Sequence, residues 1–286
     1  MAGRMEGKVA FVTGAARGQG RSHALRLAEE GADIIACDIC AQIESNLYPL
    51  ATPEDLDETV NLVEKQGRRI VARQADVRDR EALRAVLDEG VRELGHLDVV
   101  VANAGICPMG AGNPMDFVDA TDVDLIGVMN AVAVAIPHLP DGGSVVITGS
   151  TAGLMEGATD TGSMGYGGMG YSWAKKTLVG YTEQMARVLA SRMIRVNAIH
   201  PTNCNTHLLH NDELYKVFRP DLEHPTREDV EPAFTYFQAM PIPYVEPLDI
   251  SNAVLYFACD ESRYVTGQQH RVDAGSFLRW PNGPQA

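Results

Sequence analysis

The chain of 286 residues contains no stretch of about 18 uninterrupted apolar residues, so no membrane-spanning helix is expected. Basic side chains are scarce: 24 Lys and Arg stand against 38 Asp and Glu, a formal net charge of -14. That balance disfavours a nucleic-acid or anionic-membrane surface and fits a soluble protein with scattered, solvated charges. The N-terminus lacks a basic-then-apolar leader; its first apolar run, Val9–Val12, is short and leads directly into a glycine turn. Cysteines number five at irregular spacing, which points to a reducing, cytoplasmic setting. Cys37-Asp-Ile-Cys40 has neither a second pair nor a nearby His, so no metal or redox role is expected of it. There is no Pro/Gly/Ser-rich linker, internal repeat or low-complexity tract, and one domain over residues 1–286 is expected.

What the chain does have is alternation. Short β-rich runs are read at Val9–Thr13, Asp33–Asp38, Ile70–Gln74, Leu97–Ala102, Ser144–Thr148, Ile194–Ile199 and His270–Val272. Helical patterns lie between them, near Gln19–Glu30, Pro53–Gln66, Asp79–Leu94, Asp122–Ile136, Tyr171–Leu189 and Pro247–Ala258. Runs such as Asp98-Val-Val-Val-Ala are apolar on both faces, as strands buried in a helix-covered parallel sheet must be. The pattern predicts an α/β doubly wound fold. Three segments break the rhythm: 39–52, 153–170 and 202–243. Each follows a strand at the carboxyl edge of such a sheet, so each is expected to enclose ligands.

A glycine turn between a strand and a helix brings backbone close to a pyrophosphate, and the helix N-terminus offers free N–H groups and partial positive charge. Gly14, Gly18 and Gly20, with Arg17 and Gln19 among them, are placed for this role. Asp38 ends the second strand, where a carboxylate can accept hydrogen bonds from adenosine ribose hydroxyls and would repel a 2′-phosphate. It favours NAD over NADP, although Arg17 could pair with a phosphate. Asp76 and Val77 end the third strand, near an adenine; Asn103-Ala104-Gly105 ends the fourth, near a ribose.

Tyr171 and Lys175 are four apart, at the opening of a predicted helix. Residues so spaced share a helix face. A free phenol titrates near pH 10, too high for a base at neutral pH, and an adjacent ammonium favours its phenolate. Lys175 could also bond a nicotinamide ribose. Ser150, just beyond the fifth strand, can orient a substrate oxygen toward the phenol, with Thr151 and Ser172 as competitors and a turn-capping role as the simpler reading.

Taken together, Thr13-Gly14-x-x-x-Gly18-x-Gly20, Asn103-Ala104-Gly105, Ser150 and Tyr171-x-x-x-Lys175 resemble the short-chain dehydrogenase/reductase family over nearly the whole chain. The resemblance implies a Rossmann-type sheet of seven strands in the order 3-2-1-4-5-6-7. It also implies a tyrosine base, a lysine helper, a carbonyl-orienting serine and a homotetramer. Pro201-Thr-Asn-Cys-Asn-Thr206 resembles the family's Pro-Gly segment over the nicotinamide, with Thr202 in place of Gly; Asn203 and Thr206 fall with it. The insertion Leu47–Leu56 and the glycine loop resemble the mycofactocin-associated, carveol-dehydrogenase-like branch. That branch implies a tightly held NAD and a peptide-derived redox carrier.

One departure stands out. Where the family has Asn in an Asn-Leu-x-Gly run, this chain has Asp124. A carboxylate accepts hydrogen bonds but donates none, so Asp124 could hold a water or pair with Lys175 and weaken its effect on Tyr171. The leading expectation is an NAD-dependent dehydrogenase of a hydrophobic secondary alcohol. Met109, Met115, Leu154, Met155, Leu208, Leu209, Phe234 and Phe237 are the expected apolar walls. The alternatives are an NADP(H)-dependent carbonyl or 3-oxoacyl reductase, a sugar epimerase or dehydratase, and a non-catalytic NAD-binding sensor.

Overall fold

The computed structural model describes residues 3–110, 112–157 and 160–279. Seven strands, β1 (Val9–Thr13), β2 (Asp33–Asp38), β3 (Ile70–Gln74), β4 (Val99–Ala102), β5 (Ser144–Thr148), β6 (Arg195–Pro201) and β7 (Gln269–Val272), form one parallel sheet. Their order is β3-β2-β1-β4-β5-β6-β7. The chain winds outward from β1 in both directions, and a crevice opens beyond the carboxyl ends of β1 and β4, where the winding reverses.

Helices α1 (Gly18–Glu29), α2 (Pro53–Lys65), α3 (Arg80–Leu94), α4 (Met115–Thr121), α5 (Val128–Ala135) and α6 (Gly165–Leu189) connect the strands up to β6. On one face of the sheet Phe11, Ile35 and Ile147 pack against Leu83 and Leu87 of α3, Val132 of α5 and Leu178 of α6. On the other, Val12 and Ile34 meet Leu27 of α1 and Val254 and Phe257 of α9 (Pro247–Ala258). The helix starts follow from local chemistry. Thr52 and Asp55 form a reciprocal cap with Pro53 at the first turn of α2, and Asp79 accepts from the N–H groups of Glu81 and Ala82 at α3.

Three elements differ from the sequence-based expectation. Tyr171 does not open its helix; α6 begins six residues earlier, at Gly165. Glycine is a poor helix former, but here it is sterically required. A Cβ on Gly167 would lie 2.0 Å from the Pro108 carbonyl oxygen, and one on Gly170 would lie 2.6 Å from that of Phe117. The helix expected over Asp122–Ile136 is divided, with a π-helical turn at Asp122–Gly127 between α4 and α5. Segment 202–243 is no plain loop: it contains α7 (Asp212–Phe218) and α8 (Arg227–Tyr236), packed on a small core of Leu209, Leu214, Val230 and Phe234. The last described helix is α10 (Ser276–Arg279).

No described helix is long and apolar enough to cross a membrane.

Candidate active site

One cavity at the carboxyl edge of the sheet is lined by the glycine loop, Asp38, Asp76, Val77, Asn103-Ala104-Gly105, Asp124, Ser150, Tyr171, Lys175 and the segment from Pro201 to Thr206. Residues scattered over most of the sequence are thus brought to one place by the strand ends.

The glycine loop is shaped by steric limits. Gly14 and Gly18 hold φ of 66° and 57°, the left-handed region open to glycine. A Cβ on Gly20 would sit 1.9 Å from the Gly14 carbonyl oxygen. Arg17 occupies the N-cap position of α1 but provides no side-chain cap, so the first amide groups of α1 stay available at the cavity. Gln19 places a buried side-chain oxygen there without a partner. These features suit a bound pyrophosphate with polar groups beside it. Thr206 closes over the turn, its methyl 3.5 Å from where a Gly18 Cβ would be.

Several expected cofactor contacts carry structural duties as well. Asp38 accepts from the N–H of Ala16 at 3.0 Å and that of Cys40 at 3.3 Å. Burial pushes its carboxyl above the ordinary value, with those N–H groups opposing. The Asn103 amide braces Thr13 O at 3.1 Å and takes the Thr148 hydroxyl at 3.2 Å. Asp76 is paired with Arg78 at 2.6 Å. Arg17 donates to the carbonyl of Pro49, which joins the glycine loop to segment 39–52 and draws its charge away from a phosphate role.

At the reacting end, Ser150 caps a short turn by accepting from Ala152 N at 3.1 Å, and its hydroxyl is near enough to the Tyr171 phenol to favour the phenolate. Capping and orienting are therefore compatible. Thr151 is engaged elsewhere, donating to Pro201 O at 3.2 Å, and Ser172 is buried away from the cavity wall. Lys175 Nζ lies 5.5 Å from the centre of the Tyr171 ring, as the four-residue spacing predicts.

The electrostatics depart from expectation. Lys175 Nζ sits 3.0 Å from Asp124 Oδ1 and 3.0 Å from Thr148 O. Both partners of the ion pair are buried, and Asp124 Oδ2 accepts from Ile106 N at 3.2 Å. Burial raises the Asp124 carboxyl to about 6, with Lys175 opposing. The Tyr171 phenol is held well above its ordinary value: burial acts first, the charges of Cys107 and Asp124 add, and the Ser150 hydrogen bond opposes. Of the two roles expected of Asp124, the structure shows the pairing with Lys175, and the phenol expected to be lowered by that ammonium is raised instead. Gly105 makes the pair possible, since a Cβ there would lie 2.5 Å from Asp124 Oδ1.

Tyr48 escaped the sequence reading. It comes from segment 39–52, is buried, and accepts from Cys107 N at 3.2 Å through its hydroxyl while lining the cavity. A lone loop tyrosine carries no periodic signal. Of the expected apolar walls, Met109, Met155, Leu208, Leu209 and Phe237 line the cavity, joined by Met164, Leu214 and Phe218. Met115 is exposed, Leu154 lies off the wall, and Phe234 is buried in the α7–α8 core against Phe218. Cys37 and Cys40 are free and buried, and among the described residues no cluster of three or more His, Cys, Asp or Glu could hold a metal.

A doubly wound parallel sheet with an open helix N-terminus and a Ser-Tyr-Lys group at its switch point defines a dinucleotide-dependent oxidoreductase. The family profile of the short chain dehydrogenases matches residues 8–215, and the chain belongs to that family. A (-)-trans-carveol dehydrogenase of Rhodococcus erythropolis is 46% identical over 285 residues, covering 96% of this chain and 99% of that one. A short-chain type dehydrogenase/reductase of Mycolicibacterium smegmatis is 53% identical over 287 residues, covering 98% and 100%. The crystal structure of carveol dehydrogenase from Mycobacterium avium in complex with NAD superposes with a TM-score of 0.91 at 48% identity, covering 96% and 99%.

Proposed function

We propose that this chain is an NAD-dependent oxidoreductase that interconverts a hydrophobic secondary alcohol and its ketone, with Tyr171 as the base. The observation that carries this reading is the convergence of Ser150, Tyr171 and Lys175 on one cavity with the glycine loop and apolar walls, with Lys175 Nζ 5.5 Å from the Tyr171 ring. The kinship with a carveol dehydrogenase supports a compact, terpenoid-like alcohol.

The open α1 amides, Gly18 and Gly20 would hold the pyrophosphate, Asp38 the adenosine ribose, and Asp76 and Val77 the adenine side. Asn103-Ala104-Gly105 and Lys175 would hold the nicotinamide ribose, and Pro201, Thr202, Asn203 and Thr206 the carboxamide side. Bound NAD supplies the acceptor for the hydride that leaves the carbinol carbon. Ser150 donates to the substrate oxygen and fixes it near the phenol. Tyr171 takes the hydroxyl proton as the carbonyl forms. An ammonium has three donors; two of Lys175's meet Asp124 and Thr148 O, which leaves one for a ribose hydroxyl. Asp124 restrains Lys175 and sets the pH at which Tyr171 becomes a base.

Three further features belong to this reading. The Arg17–Pro49 and Tyr48–Cys107 contacts fasten segment 39–52 over the crevice and favour tight NAD retention, with an external carrier of the mycofactocin type to reoxidise it. Exposed Trp173 and Val188 on α6 favour assembly into the homotetramer expected of the family. Asp38 weighs against NADP(H), and the intact Ser-Tyr-Lys group weighs against a non-catalytic sensor.

The test is turnover of a panel of cyclic terpenoid and steroid alcohols with NAD and NADP, read by nicotinamide absorbance. Activity with apolar secondary alcohols and NAD supports the proposal. Activity confined to NADP, or none with any alcohol, overturns it.

A further inference from the structure

His200 lies in β6, fully buried, and has no part in the proton or hydride steps. Its ring stands against the backbone of Ser150: Nδ1 is 3.2 Å from Ser150 N and 3.0 Å from Ser150 O. Nε2 is 2.7 Å from Gln269 Oε1 on β7. The amide of Gln269 is oriented by its other end, because Nε2 donates to Val179 O at 3.1 Å. With that amide fixed, Oε1 must accept, so His200 Nε2 carries the proton and Nδ1 presents a lone pair to the Ser150 N–H. The Ser150 carbonyl then lies near Nδ1 without a hydrogen bond from it.

The chain of bonds begins and ends at the reacting group. Val179 is one helical turn beyond Lys175 on α6, the helix that also carries Tyr171. Val179 O, Gln269, His200 and Ser150 N therefore connect the helix of the base to the residue that orients the substrate. Room for the ring comes from Gly149, where a Cβ would lie 2.5 Å from His200 Nδ1 and Cε1.

We propose that His200, with its tautomer set by Gln269, is a positioning residue that holds the Ser150 backbone at a fixed distance from Tyr171. The neutral ring accepts from Ser150 N–H. An imidazolium could only donate, to Ser150 O, and would release that N–H. The charged groups that face the ring are Lys175 from α6 and Arg271 from β7; both are cationic and, with burial, keep it neutral. Loss of the Nδ1 acceptor moves the serine hydroxyl relative to the phenol, and small misplacements of reacting groups slow reactions on the order of 10- to 100-fold.

The proposal uses the alcohol-oxidation reading for its rate measurements only. The Asn side chain places an acceptor where Nδ1 was, while Gln reaches the Nε2 position. His200→Asn should keep kcat within a few-fold of the unaltered protein. His200→Gln and His200→Leu should lose on the order of 10- to 100-fold in kcat with KM little changed. Gln269→Glu sets a carboxylate against Nε2, stabilises the imidazolium and should add to kcat a second acid limb, besides the one set by Tyr171 in the unaltered enzyme. Equal kcat in the Asn, Gln and Leu variants, or a Gln269→Glu profile that superposes on the original, would overturn the proposal. Nitrogen NMR of histidine-labelled full-length protein decides independently of turnover. A proton on His200 Nε2 and none on Nδ1 supports it, and the reverse tautomer refutes it. An unaltered enzyme inactive on every alcohol would overturn the proposed function and leave the NMR result to decide this one.

Discussion

Lys175 Nζ and Asp124 Oδ1 are 3.0 Å apart, and both side chains are shut away from solvent. A buried ion pair of this kind holds its partners firmly and cancels much of the field each exerts on its neighbours. Tyr171, on the same helix as Lys175, therefore receives a smaller push toward phenolate than an unpaired ammonium would give. The pair is carried by the π-helical turn at Asp122–Gly127 and accommodated by the missing Cβ of Gly105. π-Turns of this kind are frequent at functional sites.

Replacing Asp124 by Asn removes the charge and keeps an oxygen for Ile106 N. The phenol then ionises more easily. The pH–rate profile of alcohol oxidation, which rises as Tyr171 deprotonates, should move to lower pH, because Asp124 is one of the charges that raise the phenol. An unchanged profile in Asp124→Asn would remove the electrostatic role assigned to this carboxylate.

Gly20→Ala places a methyl 1.9 Å from the Gly14 carbonyl oxygen and 2.8 Å from Asn103 Nδ2, so the glycine loop must shift. NAD affinity should fall at least about tenfold, with a loss of roughly 1–3 kcal/mol in stability. Gly180→Ala, on the exposed side of α6, meets nothing within 4 Å and should stabilise by up to about 1 kcal/mol. Calorimetric titration and urea unfolding of the two variants separate local crowding from a general intolerance of larger residues.

Tyr48→Phe keeps the ring and removes the oxygen that accepts from Cys107 N. Arg17→Ala frees Pro49. Each change should cost about 1 kcal/mol of closure, and NAD should leave about fivefold faster from each variant. Stopped-flow displacement of NAD measures this directly. Equal release rates would show that segment 39–52 does not retain the cofactor.

His23 is fully buried, with Nδ1 2.8 Å from the Ser251 hydroxyl, and burial lowers its pKa to about 3. The folded state disfavours the imidazolium. Its stabilising contribution is complete above the unfolded value near 6.5 and declines as pH falls toward 3. Between about pH 7.5 and about pH 5 the protein should lose about 2 kcal/mol from this group. Urea midpoints of the unaltered protein should therefore fall more over that interval than those of His23→Gln; parallel slopes would contradict the assignment.

Much of the fold could be read from periodicity. β1, β2 and β5 fall where the apolar runs place them, because strands buried on both faces leave an unbroken signature; β3 also falls where expected, although as an edge strand it exposes Arg73 and Gln74. β6 was harder to bound. Arg195 interrupts its apolar run, yet the guanidinium is buried among the Phe257, Ala258 and Cys259 carbonyls and the Ser262 hydroxyl. The start of α6 was hidden because its glycines answer to Pro108 and Phe117, residues remote in sequence. Within the site, the glycine loop, Ser150, Tyr171 and Lys175 were legible from spacing and from their position at strand ends. Tyr48, the π-turn beneath Asp124 and the ring of His200 behind Ser150 were not. Each acts through a tertiary contact that leaves no periodic trace.

The base assigned to Tyr171 is tested most directly by Tyr171→Phe. The variant keeps the ring and its packing and removes only the oxygen that takes the proton. Steady-state oxidation of the best alcohol should fall at least about 100-fold, with NAD binding and thermal stability close to those of the unaltered enzyme. Turnover retained at the original rate in that variant would contradict the account.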